Sequence, residues 1–574
     1  MRSTLPTGIR VARTLPGALL ALLWGPAAWT AAPQANADAA IIAAELSLQR
    51  GECASGTQAY VSAAAARADV KLAERAVSVA LDCGQFALAA DAAARWHVLQ
   101  PASAAPLLVA ARAELGRARV TEARRPLLEW LNSRPAPDDE TVAKGIAEVG
   151  GTAGVEITFA AFRELQHARL AGPEAQMALA ELAADAFDYA QALKYAQSAV
   201  KAGADANALR TVRLRALAGL GNATQALAEA KTVARGGDAD SGLAESETLL
   251  AMGRDDEAEK LLQEQREDPR LSLLATRRLA LLAFTRADYP TAEKLFSELL
   301  RDKNTVALAV YYLAVIAERR GDVDAAMKGY ELLAQSGLDD GARRRVAALY
   351  LKDGERTQAL RLLAADDDAT PRQRIAAELS IAELLANGGS PRDAVARLDG
   401  ALQGAPGHPD LSYQRSVYLE RVDAAAAIDS LEALHKLRPQ DMAVSNALGF
   451  TLADHDRDLP RAEQLIRAAL RATPDNPAVL DSVGWVLHKR GKAAEALPYL
   501  QRAWRMYHEG DIGAHCGEVL WKLGRKEEAR TQWRAAMAAD PDNKSLQDVA
   551  HRYAPELSVP VPQPRSTNGS GTAI

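Results

Sequence analysis

Nine histidines and three cysteines are the residues of this 574-residue chain best suited to hold a metal or carry a nucleophile. Their spacing does neither. There is no His-Glu-x-x-His, no Cys-x-x-Cys, no Gly-x-Ser-x-Gly elbow and no phosphate-cradling glycine loop with a lysine. His515 and Cys516 are adjacent, and consecutive helical residues point to different faces, so they do not form a nucleophile pair. Cys516 reads as a buried thiol packing as a small hydrophobe. Cys53 and Cys83 are 30 residues apart, and an oxidising compartment could bridge them; spacing alone leaves the bridged and free states both open. No catalytic residue, cofactor or metal ligand is expected. The chemistry left to this chain is recognition, with the divergent stretch 130–175 as the place where an enzyme would hide.

The elements that would present such surfaces are announced by a ladder of alanines. Ala192, Ala226, Ala258, Ala292, Ala326, Ala359, Ala394, Ala427, Ala462, Ala496 and Ala529 follow one another at gaps of 32 to 35 residues. That period belongs to the tetratricopeptide (TPR) repeat, two antiparallel helices with a small residue where the second approaches its neighbour. In the last repeats the pattern is dense: Gly484, Gly491 and Ala503 accompany Ala496, and Gly517, Gly524, Trp533 and Ala536 accompany Ala529. Toward the N-terminus Ala89 and Ala123 continue the ladder, the stretch around Gly150, Gly151 and Gly154 is degenerate, and a further helical pair is expected over 40–67, about fifteen hairpins in all. Hydrophobic residues make up 48% and aromatics 5%, so the apolar mass is largely alanine and leucine, which suits close-packed helices. The expected fold is all-α, a TPR-like superhelical solenoid of helix-turn-helix repeats, with no strand.

A TPR solenoid turns positions 2, 5, 9, 12 and 13 of each first helix toward its concave groove. In the last three repeats these include Asn446, Phe450 and Asp454, then Asp481, Trp485, His488 and Lys489, then Glu518, Trp521 and Lys522. Aromatic rings offer anchor area and amides can pair with a peptide backbone, so these residues are the candidate protein-binding site. Phe450, Trp485 and Trp521 are expected to form one stripe, the alternative being that the tryptophans pack between successive first helices. Position 9 carries Phe450, Trp485 and Glu518 rather than the asparagines of a carboxylate clamp, so a free C-terminal carboxylate is not the expected ligand of this end.

The segments Asn446–Asp454, Leu480–Val486 and Gly517–Trp521 with Leu523-Gly524-Arg525 resemble the C-terminal block of a family of Gram-negative envelope TPR proteins. Ala44–Gly51 is similar to that family's start. Its best-described type is an outer-membrane lipoprotein that serves as adaptor for a periplasmic carboxyl-terminal processing protease. The resemblance implies a non-catalytic adaptor that binds and activates this serine protease and brings cell-wall hydrolases to it. Such adaptors carry a lipobox cysteine; Cys53, preceded by Arg50-Gly51-Glu52, does not sit in one. A scaffold for export, pilus or exopolysaccharide assembly would use the same groove, and an envelope enzyme is the third reading.

Residues 1–37 read as a cleavable signal peptide: Arg2, Arg10 and Arg13 precede the short apolar run Leu15–Trp24, and Ala35-Asn36-Ala37 offers a cleavage site. The expected location is the periplasm, free or associated with the outer membrane, with no transmembrane segment in the mature chain. Removing three arginines and no acid makes the mature chain more negative than the −6 of the whole, so nucleic acid is not an expected partner. Arg277-Arg278 and Arg343-Arg344-Arg345 read as solvated helix faces, and Asp366-Asp367-Asp368 as a hinge between repeats. The remaining divisions are divergent N-terminal repeats over 38–175, middle repeats over 176–370, a C-terminal block over 371–553 and a flexible Pro/Ser/Gly tail over 554–574.

Overall fold

A computed structural model describes residues 35–234, 242–335, 340–540 and 543–557. Most of the signal segment and of the C-terminal tail lies outside these residues. The described chain is helical throughout, without a strand, and its helices pair into fifteen hairpins followed by a final helix, Lys544–Tyr553. It is an all-α solenoid of helix-turn-helix repeats.

The alanine ladder is one structural position. Each rung is the fourth residue of the second helix of its hairpin, as Ala192 is in Tyr189–Ala202 and Ala529 in Lys526–Ala539. Every rung from Ala192 to Ala529 is fully shielded from solvent. Gly56 in Cys53–Ala66, Ala89 in Phe86–Leu99, Ala123 in Val120–Leu131 and Thr158 in Val155–Arg163 hold the same place, which completes the count. At Gly56 an added Cβ would lie 2.7 Å from Leu48 Cγ, so the first hairpin crosses too closely even for alanine. Thr158, buried in the degenerate stretch, is tolerated because its hydroxyl donates to the Gly154 carbonyl at 2.9 Å. Crossing helices also need small residues on the partner: a Cβ on Gly517 would overlap the Trp533 indole.

The solenoid returns on itself. Turns inside the early hairpins meet the loops that follow the late ones. Gln85 Nε2 donates to Pro406 O at 3.3 Å, Arg438 donates to Gly116 O at 2.6 Å, and Gln440 accepts from Val120 N at 2.7 Å. Further on, Asp475 N donates to Phe187 O at 3.0 Å while its carboxylate accepts from Tyr189 N at 3.1 Å and pairs with Arg502, and Arg319 reaches the Ala538 carbonyl at 3.4 Å. The sequence separation across this seam falls from 321 residues to 219, so the winding tightens from about nine repeats per turn toward the C-terminus. A single hydrophobic core joins the first hairpins, from Ala37 to Val109, with Ala347 to Ala427. The acidic run at 366–368 falls between helices, as expected, but Arg374 ties the Asp367 and Ala369 carbonyls to that of Gln49, a link across the seam.

Candidate protein-binding surface

The first helices of the thirteenth to fifteenth hairpins are Met442–Asp454, Pro477–Lys489 and Gly510–Lys522. The first two start where the sequence offers a cap: Asp441 accepts from Ala443 and Val444 N–H, and Asn476 accepts from Ala478 and Val479 N–H, with Pro477 at the first helical position. The third starts at Gly510 without a side-chain cap.

Trp485 sits between neighbours rather than at the surface. Its indole N–H donates to Asp454 Oδ1 at 2.9 Å, its ring stacks on His515 at 4.1 Å and on His488 at 5.3 Å, and the Lys489 ammonium lies 5.6 Å from its centroid. It is 7% exposed, so it works chiefly as packing between first helices. Lys489 is equally engaged, donating to the Asp454 carbonyl at 2.9 Å and pairing with Asp456 at 3.0 Å. Phe450 reaches the same cluster through His515 at 5.9 Å and is half-buried.

Trp521 does not continue this stripe. Counting from the first residue of each helix, Phe450 and Trp485 are both ninth, and the ninth of Gly510–Lys522 is Glu518; Trp521 comes almost one turn later. Its ring packs on Trp533 and Tyr553 at 5.8 and 5.7 Å, beneath Lys526 and Arg530. The spacing between the tryptophans misleads because the first helix of the fifteenth hairpin starts three residues earlier than that spacing implies.

The residue that joins the cluster, and that sequence reasoning passed over, is His515. Its Nδ1–H donates to the Asp481 carboxylate at 2.9 Å. Burial disfavours a charged imidazole, but Asp481, together with Asp511 and Asp454 beyond it, outweighs burial and holds the His515 pKa above the ordinary histidine value. Burial also raises Glu518, yet His488, with Nε2 3.8 Å away, and nearby His515 bring it below the usual carboxylate range. Cys516, on the same helix, is buried and its thiol is pushed up to about 12, so it is chemically quiet. Asn446 Oδ1 and His488 Nδ1 are buried without a hydrogen-bond partner among the described residues, while Lys522 is exposed at the end of its helix.

Beside Trp485, Glu420, Asp454 and His455 bring three possible donor atoms within 4.8 Å of one another, and His455 Nε2 lies 3.3 Å from Glu420. This is the grouping among the described residues most able to accept a divalent cation, although Asp454 already spends one oxygen on Trp485. At the other end of the chain Cys53 and Cys83 are disulfide-bonded with Cα atoms 5.5 Å apart, linking the turns of the first and second hairpins. Arg278 is not on a solvated face: it pairs with Glu247 at 2.5 Å, and Arg277 and Arg278 line a cavity.

No family model matches the chain. Over 178 residues it is 34% identical to a TPR repeat-containing protein of Pseudomonas aeruginosa, a match covering 31% of this chain and 30% of that protein. Human protein O-mannosyl-transferase TMTC1 is 26% identical over 186 residues, 32% of this chain and 21% of the enzyme. The chain thus spans less than a third of the length of either relative. Among solved structures, a TPR protein of Thermus thermophilus is 22% identical with a TM-score of 0.28 and aligns over 32% of this chain and 98% of its own. The Cut9–Hcn1 hetero-tetramer of APC/C aligns over 90% of this chain and 96% of its own, at 14% identity and a TM-score of 0.30. Among the described residues no helix is long and apolar enough to cross a membrane.

Proposed function

We propose that the protein is a non-catalytic, protein-binding scaffold, exported to the periplasm, that docks a carboxyl-terminal processing protease and presents cell-wall hydrolases to it. The similarity to a TPR repeat-containing protein supports the scaffold role in general terms. The identity of the partner rests on the sequence resemblance at both ends of the chain.

The observation that carries a docking role is on the first helices of the last three hairpins, where Phe450 is only half-buried and Lys522 is exposed. They border the same wall and supply an apolar anchor and a rim charge.

Size-exclusion chromatography of the purified chain with a purified processing protease tests this, together with the rate at which the protease digests a wall hydrolase. The expected result is a complex, faster digestion, and about 30-fold weaker binding for Phe450→Ala if that ring is an anchor worth about 2 kcal/mol. Absence of both complex and acceleration at tens of micromolar would overturn the protease assignment.

A further inference from the structure

Between the two windings lies a solvent-open cavity of about 770 Å³. One wall is formed by first helices of the sixth to eighth hairpins, Arg210–Gly219, Ala244–Ala251 and Ser272–Thr285. Pro477 and the stretch from Arg505 to His508, which belong to the later winding, close the other side. The cavity therefore exists only because the solenoid returns on itself.

Its lining holds five arginines and one carboxylate, in a chain whose net charge is −6. Arg278 is neutralised by Glu247 at 2.5 Å, and Arg215 by Asp185 at 2.6 Å. Arg277 and Arg505, one from each winding, have neither a hydrogen-bond nor an ion-pair partner among the described residues, although Arg277 is half-buried. Unpaired guanidiniums in a concave site are matched by carboxylates, which they can grip with two parallel hydrogen bonds. Leu214, Leu250, Leu274 and Met506 add apolar wall between the charges. A lone small anion would leave that wall uncovered, whereas a peptide would cover it and place its carboxylates on the arginines.

We propose that this cavity binds an acidic peptide segment of a protein partner, with Arg277 and Arg505 clamping carboxylates from opposite windings. The proposal rests on the protein-binding reading above, but on neither the C-terminal groove nor the identity of the protease.

Fluorescence anisotropy of the full chain with a fluorescein-labelled decapeptide of alternating Glu and Ala tests it. The matched Gln-Ala peptide is the neutral control. The Glu peptide should bind at least tenfold more tightly than the Gln peptide, and less tightly as salt is raised. Arg277→Glu with Arg505→Glu should weaken it at least tenfold more. Arg344→Glu with Lys260→Glu, at exposed positions outside the cavity, should change it less than threefold. If the cavity double variant melts early, Arg277→Gln with Arg505→Gln takes its place. Equal binding of the two peptides, no binding at millimolar peptide, or an equal loss in the exposed double variant would each overturn the proposal. The assay contains no protease, so failure here leaves the complex measured by chromatography unaffected, and loss of that complex leaves peptide binding in place.

Discussion

At the scale of single residues, Trp485 and His515 show how a groove position can become structural. Trp485 makes its hydrogen bond to Asp454 and lays its ring on His515, so Trp485→Ala removes a packed ring and orphans a carboxylate at once. Large aromatic truncations of this kind cost about 3–5 kcal/mol. The expected outcome is a clearly lower Tm with unchanged partner affinity per folded molecule; a normal Tm with weakened binding would return Trp485 to the interface. The Asp481–His515 pair carries a pH signature. The His515 pKa is raised in the folded chain, because Asp481, Asp511 and Asp454 together outweigh the burial that opposes charge. Its contribution is therefore fully present below the unfolded histidine value of about 6.5 and is lost as pH rises through the folded value. Glu518 is depressed and acts in the opposite sense, its contribution being lost as pH falls through its folded value. Denaturant melts in steps across pH 5 to 9 should show the wild type losing more stability than Asp481→Asn on the alkaline side. Parallel curves would remove the pair from the account.

At the scale of elements, what the sequence made legible and what it hid divide along local and non-local lines. The small residue at the fourth position of every second helix but one answers a demand made inside one hairpin, so the ladder reads directly from sequence. Thr158 escaped because a threonine fills the alanine place only by folding its hydroxyl back on Gly154 O. The register of the last first helix was legible, with Glu518 in the place that Phe450 and Trp485 hold, but the one-repeat spacing of the aromatics suggested a stripe that Trp521, almost a turn further on, does not join. Neither the seam nor the arginine cavity could be read, since backbone carbonyls such as Gly116 O at a helix end and Pro406 O in a loop make contacts that no side-chain pattern encodes. Between elements, the Cys53–Cys83 bond ties the first two hairpins, where a solenoid end has a neighbour on one side only. Closing a loop of this length contributes about 3 kcal/mol. Thiol titration of the unreduced, denatured protein should find Cys516 alone, and Cys53→Ser with Cys83→Ser should lower the Tm of the N-terminal hairpins; three titratable thiols in protein from an oxidising compartment would count against the bond.

At the scale of the whole molecule, the seam decides whether this is an open superhelix or a closed one. An ordinary solenoid is held by nearest-neighbour contacts, so each repeat's stability is blind to residues hundreds of positions away. Here Asp475, 3% exposed, accepts from Tyr189 N, pairs with Arg502 and donates its own N–H to Phe187 O, fastening the fifth hairpin to the loop after the thirteenth. Losing the carboxylate leaves the buried Tyr189 N–H without its acceptor, which costs about 1–3 kcal/mol, whereas Arg502, 31% exposed, is partly solvated. That cost falls on the contact between windings, while the helices on either side keep their own cores. Asp475→Ala should therefore open the winding without melting it: small-angle scattering should give a larger radius of gyration while far-ultraviolet circular dichroism stays unchanged. Because the cavity needs both windings, the same variant should lose the acidic peptide although every arginine is still present. An unchanged radius of gyration with peptide binding intact would mean that the seam is held without Asp475, by Arg438, Gln440 and the hydrophobic core that joins the first hairpins to Ala347–Ala427.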